Sequence, residues 1–291
     1  MKKIFVAFIA ASALLAGCSK DDANTTVPND GTIPLKLQGE VIAPRVTDVA
    51  FEEGDLVGLY VTNGQTPVYT NEKLTAYSSA LIASEELYYP AGAASVDIFA
   101  YYPYQENPVN PATIEVPQDQ DAETFVWSDY DVLAAAVSGQ EPSYSPVSLK
   151  FNHLMAKVTV DVEMTGVGAT AEREEAVGVA LNLATAGKLN VQTGETSDLA
   201  AAQSIQPKDG RTAIVLPQTI AQGTKLGSIV TLEGQSFDIV ASKEVKLEGG
   251  KNNIIKVTVQ VDEYIKVYVS CSIADWDEGD NIFVGGPTVN E

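Results

Sequence analysis

The run Phe151 to Val162 reads Phe-Asn-His-Leu-Met-Ala-Lys-Val-Thr-Val-Asp-Val. Side chains alternate faces along a strand, so Leu154, Ala156, Val158, Val160 and Val162 share one side. Lys157, Thr159 and Asp161 share the other. This period of two predicts one half-buried strand, placed as the opening strand of a second domain. The same alternation recurs before and after it. Thr32 to Val41 sets Ile33, Leu35, Leu37 and Val41 against Pro34, Lys36, Gln38 and Glu40. Proline cannot donate to a ladder, so this segment reads as an edge strand. Ile254 to Val261 places Ile255, Val257, Val259 and Val261 inside, and Tyr264 to Cys271 repeats the design. Shorter apolar runs cover Leu56 to Thr62, Val96 to Tyr102, Val132 to Val137, Val177 to Leu183 and Thr212 to Leu216. Ser228 to Leu232 and Ser236 to Val240 flank Glu233-Gly234-Gln235, a hairpin turn.

The intervening segments carry turn chemistry. Asn63 to Pro90 is long, polar and rich in tyrosine, and reads as connection. Pro103 to Asp121 holds Pro103, Pro108, Pro111 and Pro117 and reads as loop. Thr165 to Glu175 and Gly187 to Gly210 read as loop and turn, and Glu141 to Pro146 as an interdomain linker. Many short strands, frequent turns and almost no 3.6-residue periodicity predict an all-β chain of the sandwich class. The expected organisation is a leader at 1–17, a tether at 18–31, and β-sandwich domains at 32–146 and 147–291.

The amino terminus changes the compartment. Lys2 and Lys3 precede an apolar run from Ile4 to Leu15, followed by Ala16-Gly17-Cys18. Such a run is a signal peptide, too short for a stable transmembrane anchor. Leu15-Ala16-Gly17-Cys18 resembles the bacterial lipoprotein box, which is cut before its cysteine and acylated on it. Lipidation is therefore expected at Cys18, and more than one acyl chain there gives stable anchoring. Lys20-Asp21-Asp22 resembles the acidic signal that exports lipoproteins of Bacteroidetes to the outer face of the outer membrane. The remaining residues to Gly31 are polar and suit a tether.

The 291 residues carry 39 Asp plus Glu against 18 Lys plus Arg, a formal charge of −21. That balance argues against nucleic acid and against polyanionic ligands. The apolar fraction of 45% marks a globular body.

Candidate chemistry is sparse. With Cys18 lipidated, Cys271 stands alone in the next-to-last strand and reads as a structural thiol. The single histidine, His153, lies in the organising strand and reads as a core or hinge residue. No nucleophile elbow, phosphate-binding glycine loop or histidine-rich metal cluster occurs. Asp275-Trp276-Asp277-Glu278-Gly279-Asp280 departs from calcium-loop spacing and reads as a solvated turn, as do Asp119 and Asp121. Tyr88, Tyr89, Tyr101, Tyr102 and Tyr104 leave two readings open: sandwich packing, or an aromatic surface for sugar or protein. The expectation is a protein that is not an enzyme, with no catalytic residues, cofactor or metal.

Four stretches carry a family resemblance. They are Phe51-Glu52-Glu53-Gly54-Asp55-Leu56-Val57-Gly58-Leu59-Tyr60, Val96-Asp97-Ile98-Phe99-Ala100-Tyr101-Tyr102-Pro103-Tyr104 and Phe151-Asn152-His153-Leu154-Met155-Ala156-Lys157-Val158. Leu216-Pro217-Gln218-Thr219 with Ile273-Ala274-Asp275-Trp276 completes the set. In this order they resemble the fimbrillins of Bacteroidales, pilus subunits and related surface adhesins. The resemblance implies two tandem transthyretin-like β-sandwiches, a surface-exposed lipoprotein anchored in the outer membrane, and other fimbrillin subunits as partners through donor-strand exchange. It leaves room for a host or bacterial surface receptor. It also implies cleavage by a trypsin-like protease after an arginine behind the first strand, a place that Arg45 occupies. One feature departs from the pattern. After Trp276 only 15 residues remain, and Gly285-Gly286-Pro287 interrupts their apolar content, so a C-terminal donor strand would be short. A monomeric surface lipoprotein that binds glycan or host protein is the alternative.

Overall fold

The computed structural model describes residues 32–42, 51–261, 265–275, 282–283 and 288–290, from 269 onward by backbone alone. The first strands are β1 (Leu37–Val41), β2 (Leu56–Asn63), β3 (Thr66–Tyr77), β4 (Ala80–Ala83) and β5 (Val96–Tyr102). β6 (Ala112–Glu115), β7 (Leu133–Gln140) and β8 (Val147–His153) follow. Seven of these close into a ring in the order β1-β4-β3-β2-β5-β7-β8. Its interior is filled by the inward rows, among them Leu37, Val57, Leu59, Leu74, Ile98, Leu149 and Phe151.

Two expectations about this half are corrected. The first strand is not an edge. It runs antiparallel to β4 on one side and parallel to β8 on the other. Pro34 does not disturb this, because it precedes β1 and makes only an isolated bridge with Tyr88. Nor is the stretch 63–90 mere connection, since it forms β3 and β4. Only Leu74 and Ala76 of β3 are buried, so the strand is held largely by backbone pairing and lacks an apolar row.

The stretch Phe151 to Val162 is two strands, not one. β8 buries odd positions through His153, whereas β9 (Ala156–Thr165) buries even ones. The phase changes where the chain crosses between sheets, at Leu154 and the fully buried Met155. Residues 141–146, expected as a linker, join β7 to β8 within the ring.

Beyond the crossover lie β10 (Gly178–Leu183), β11 (Ala186–Leu189), β12 (Thr196–Ser197), β13 (Gln203–Ile205), β14 (Thr212–Val215) and β15 (Gln218–Ile220). β16 (Lys225–Val230), β17 (Ser236–Val240), β18 (Val245–Leu247), β19 (Lys251–Val261) and β20 (Ile265–Asp275) follow. β21 (Ile282–Phe283) and β22 (Thr288–Asn290) both pair with β20. The sheet β14-β9-β19-β20-β21 packs against β13-β10-β16-β17. Val158, Val160, Val257 and Val259 from the first meet Leu181, Leu183 and Ile229 from the second in one core. Thr170 caps a single turn of helix, α1 (Ala171–Glu175), inside the stretch read as loop. Helix is minor, and the chain is all-β of the sandwich class.

The two halves share material. β6, in the stretch read as loop, leaves the ring and pairs with β11. A third cluster, with Ile114, Val132, Met155, Leu189, Ile214 and Leu216, fills the junction. At roughly 1.5–3 kcal/mol per large apolar side chain, this cluster ties the halves firmly together.

Candidate functional site: the first strand in its groove

β1 is bound along both edges. Gly39 N–H donates to the Ser79 carbonyl at 2.8 Å, and Leu35 N–H to that of Leu87 at 2.8 Å. On the other side Val147 N–H donates to the Lys36 carbonyl at 2.8 Å, and Ile42 N–H to that of Phe151 at 2.7 Å. Leu35, Leu37 and Val41 point into the ring and are at most 9% exposed. Gly39 faces the Phe51 ring and the Leu81 side chain closely. A Cβ there would lie 2.8 Å from Phe51 Cε2 and 3.1 Å from Leu81 Cδ1. Glycine is therefore required by close approach, a role that its place in an alternating strand hides.

Three of the four stretches singled out in sequence meet under this strand. Phe51 stands edge-on to Phe151, with ring centroids 4.9 Å apart, and to Tyr102 at 5.6 Å. Such edge-to-face pairs add roughly 0.5–1.5 kcal/mol each beyond area burial. The Tyr102 hydroxyl lies 3.4 Å from Asp55 Oδ1. Burial first, and then the charges of Asp55, Asp129 and Asp131, push its phenol up to about 12. Asp55 turns the chain before β2: its Oδ2 accepts from Glu52 N–H at 2.8 Å, and Gly54 adopts a φ of +100°.

His153 ends β8 as a buried residue, with Nδ1 2.6 Å from Asp131 Oδ2. Burial raises the Asp131 carboxyl, against the opposing pull of His153. The pair holds the 131–133 segment at the crossover, where Leu154 N–H also donates to the Val132 carbonyl. Of the two readings, core or hinge, its burial fits the core residue.

Sequence reasoning missed buried amides that substitute for strand pairing. Gln120 is fully buried; its Oε1 accepts from Ile214 N–H and its Nε2 donates to the Ile214 carbonyl, both at 2.9 Å. This covers the outer edge of β14. Gln218 treats Ala184 the same way, at 3.0 Å for both bonds. Asn253 Oδ1 accepts from Glu248 N–H while its Nδ2 donates to the carbonyls of Lys157, Glu248 and Lys251. Leu216-Pro217-Gln218 carried a signal only through family likeness; nothing local distinguishes Gln120.

Other expected residues are placed as follows. Cys18, Lys20, Asp21, Asp22 and Arg45 lie outside the described residues, as do 276–280. Asp119 and Asp121 serve loop turns, Asp121 Oδ1 accepting from Asp209 N–H at 2.8 Å. Tyr89 and Tyr102 pack inside the ring, whereas Tyr101 faces outward from β5 over Gly58.

Backbone pairing and apolar seats dominate this arrangement, which defines a β-sandwich protein whose distinctive feature is a first strand inserted between two others. The fimbrillin-like family matches residues 44–276, and the chain belongs to that family. It is 28% identical over 319 residues to a candidate fimbrium subunit, Fim1C, of Bacteroides uniformis ATCC 8492, covering 99% of each chain. A crystal structure of a candidate cell adhesion protein from the same strain superposes with a TM-score of 0.62 at 26% identity, over 85% of this chain and 100% of that one. Another, from Bacteroides ovatus ATCC 8483, shares the fold with a TM-score of 0.62 at 20% identity, over 86% of this chain and 99% of that one.

Proposed function

We propose that the chain is a surface-exposed, lipid-anchored subunit of a fimbrium, with a structural and adhesive rather than enzymatic role. Its subunits join by strand exchange at the groove between β4 and β8. The observation that carries this is the seat of β1. The strand supplies Leu35, Leu37 and Val41 to the ring and is bonded on both edges, yet it is joined to the rest of the chain through residues 43–50, which contain Arg45. Cleavage after Arg45 would free β1 from covalent attachment. With Ile33 packed beside them, its apolar residues account for on the order of 6–10 kcal/mol of burial. The vacated groove would present the edges of β4 and β8 to a strand from another subunit, by β-strand addition. Until then β1 guards the groove against premature assembly. Two folding units meet at the crossover of Leu154 and Met155, each following its own core.

Cys18 anchors the precursor in this reading, and Lys20-Asp21-Asp22 directs it to the outer face. The test is the N-terminal residue of the protein on intact cells. Val46 is expected in wild-type multimers, and Arg45→Ala should leave uncut, monomeric precursor. Multimers that still begin at Cys18 would overturn the cleavage step.

A further inference from the structure

An aromatic platform lies on the outside of the ring, where an alternating strand would ordinarily present polar groups. The inward rows of β2 and β5 belong to the core, and Tyr60, Phe99 and Tyr101 stand on the opposite face. Tyr60 is directly opposite Phe99 in the register, and Tyr101 opposite Gly58. A Cβ at Gly58 would lie 2.1 Å from Tyr101 Cε1, so this ring rests against bare backbone. The Tyr101 hydroxyl donates to Asn71 Oδ1 at 2.7 Å and accepts from Gln105 N–H at 3.2 Å, which fixes its orientation. The chain then folds back over this face, burying Tyr101 to 5% exposure and leaving Tyr60 and Phe99 partly open. Residues of the 103–115 segment and of the turn at 191–192 leave a cleft of about 360 Å³ at the junction of the two halves. Clefts at such junctions are favoured ligand sites.

The geometry points to a neutral carbohydrate as the occupant of this cleft. The rings lie closer to parallel than to perpendicular, with interplanar angles of 15° between Phe99 and Tyr101, 33° between Tyr60 and Tyr101 and 41° between Tyr60 and Phe99. An ammonium group is held by ring faces that enclose it, whereas a platform suits one flat apolar surface. The C–H face of a pyranose is such a surface, and its hydroxyls project from the edge. The exposed side chains at the rim, Gln105, Glu115, Asp129 and Gln192, supply amide and carboxylate partners for hydroxyls. Two carboxylates on a chain of formal charge −21 repel an anionic ligand. The volume suits a mono- or disaccharide, or the end of a longer glycan.

The experiment uses the purified full-length chain in detergent with lactose, maltose, cellobiose and methyl α-mannoside as probes. Saturation-transfer NMR should show contact to pyranose ring protons for at least one of them. Titration calorimetry with that probe should show affinity lowered about tenfold by Tyr60→Ala and by Phe99→Ala. Tyr60→Phe and Phe99→Tyr keep the ring faces and should bind like wild type, as should Tyr77→Ala, an exposed tyrosine on β3. Circular dichroism establishes that each variant is folded. No contact from any of the four saccharides would overturn the proposal, as would binding that both alanine variants leave intact. Capture of a trimethyl-lysine peptide at Tyr60 and Phe99 in place of every saccharide would overturn it too. The β1 groove is untouched by these changes, so multimer formation should be unaltered and the two readings fail separately.

Discussion

Gly39→Ala probes the seat of β1 with one methyl group. Its Cβ would meet Phe51 Cε2 at 2.8 Å, Phe51 Cδ2 at 3.1 Å and Leu81 Cδ1 at 3.1 Å. Phe51 has little room to retreat, because Phe151 and Tyr102 abut it edge-on and it is only 7% exposed. Overpacking of this kind costs roughly 1–3 kcal/mol. Phe51→Leu removes the obstructing ring atoms and forfeits two edge-to-face pairs, roughly 0.5–1.5 kcal/mol each. The two substitutions therefore share one obstacle. The double variant should be less destabilised than the sum of the singles, with a coupling of roughly 0.5–3 kcal/mol. Urea unfolding followed by circular dichroism measures all four corners of the cycle. Additivity within roughly 0.3–0.5 kcal/mol would refute the proposed packing of Gly39 against Phe51.

Asp131→Ala should cost roughly 1–3 kcal/mol in the same assay, because it removes the buried hydrogen-bond partner of His153 Nδ1, and an unchanged midpoint would refute this. Tyr102 has a folded pKa of about 12, above the ordinary phenol value, so it contributes stability below pH 10 that is lost as pH rises through 12. Tyr102→Phe should flatten the fall in unfolding free energy between those pH values, by at most about 2–3 kcal/mol, and an unaltered slope would count against the burial argument. Cys18→Ala should abolish incorporation of labelled fatty acid, and unchanged labelling would remove the anchor from the account.

The rows of alternating apolar residues made much of the fold legible. Ile255 to Val261 and Val158 to Val162 lie buried as their period requires. β3 escaped because it needs no apolar row: its neighbours hold it through backbone bonds, which leave no mark in side-chain composition. β8 and β9 read as one strand in the sequence because a change of phase at Met155 and Ala156 looks like one more apolar residue in an apolar run. β6 was hidden by the prolines around it. The partners of His153, Gln120 and Gln218 were illegible for another reason. Asp131 is 22 residues from His153, and Ile214 is 94 from Gln120, so only folding reveals the pairs. Gly39 carries no side chain to mark its role in the first strand, and only the Phe51 ring beside it shows why glycine stands there.

The central claim is that β1 occupies a groove meant for a strand of another subunit. Replacing residues 43–50 by a site for a sequence-specific protease puts the cut under control. Light scattering of the purified protein, before and after cutting, then reports assembly directly. The account predicts monomers before cutting, multimers after it, and suppression of the multimers by excess peptide spanning residues 32–42. Cut protein that stays monomeric after β1 is lost, or multimers that form equally well uncut, would contradict it.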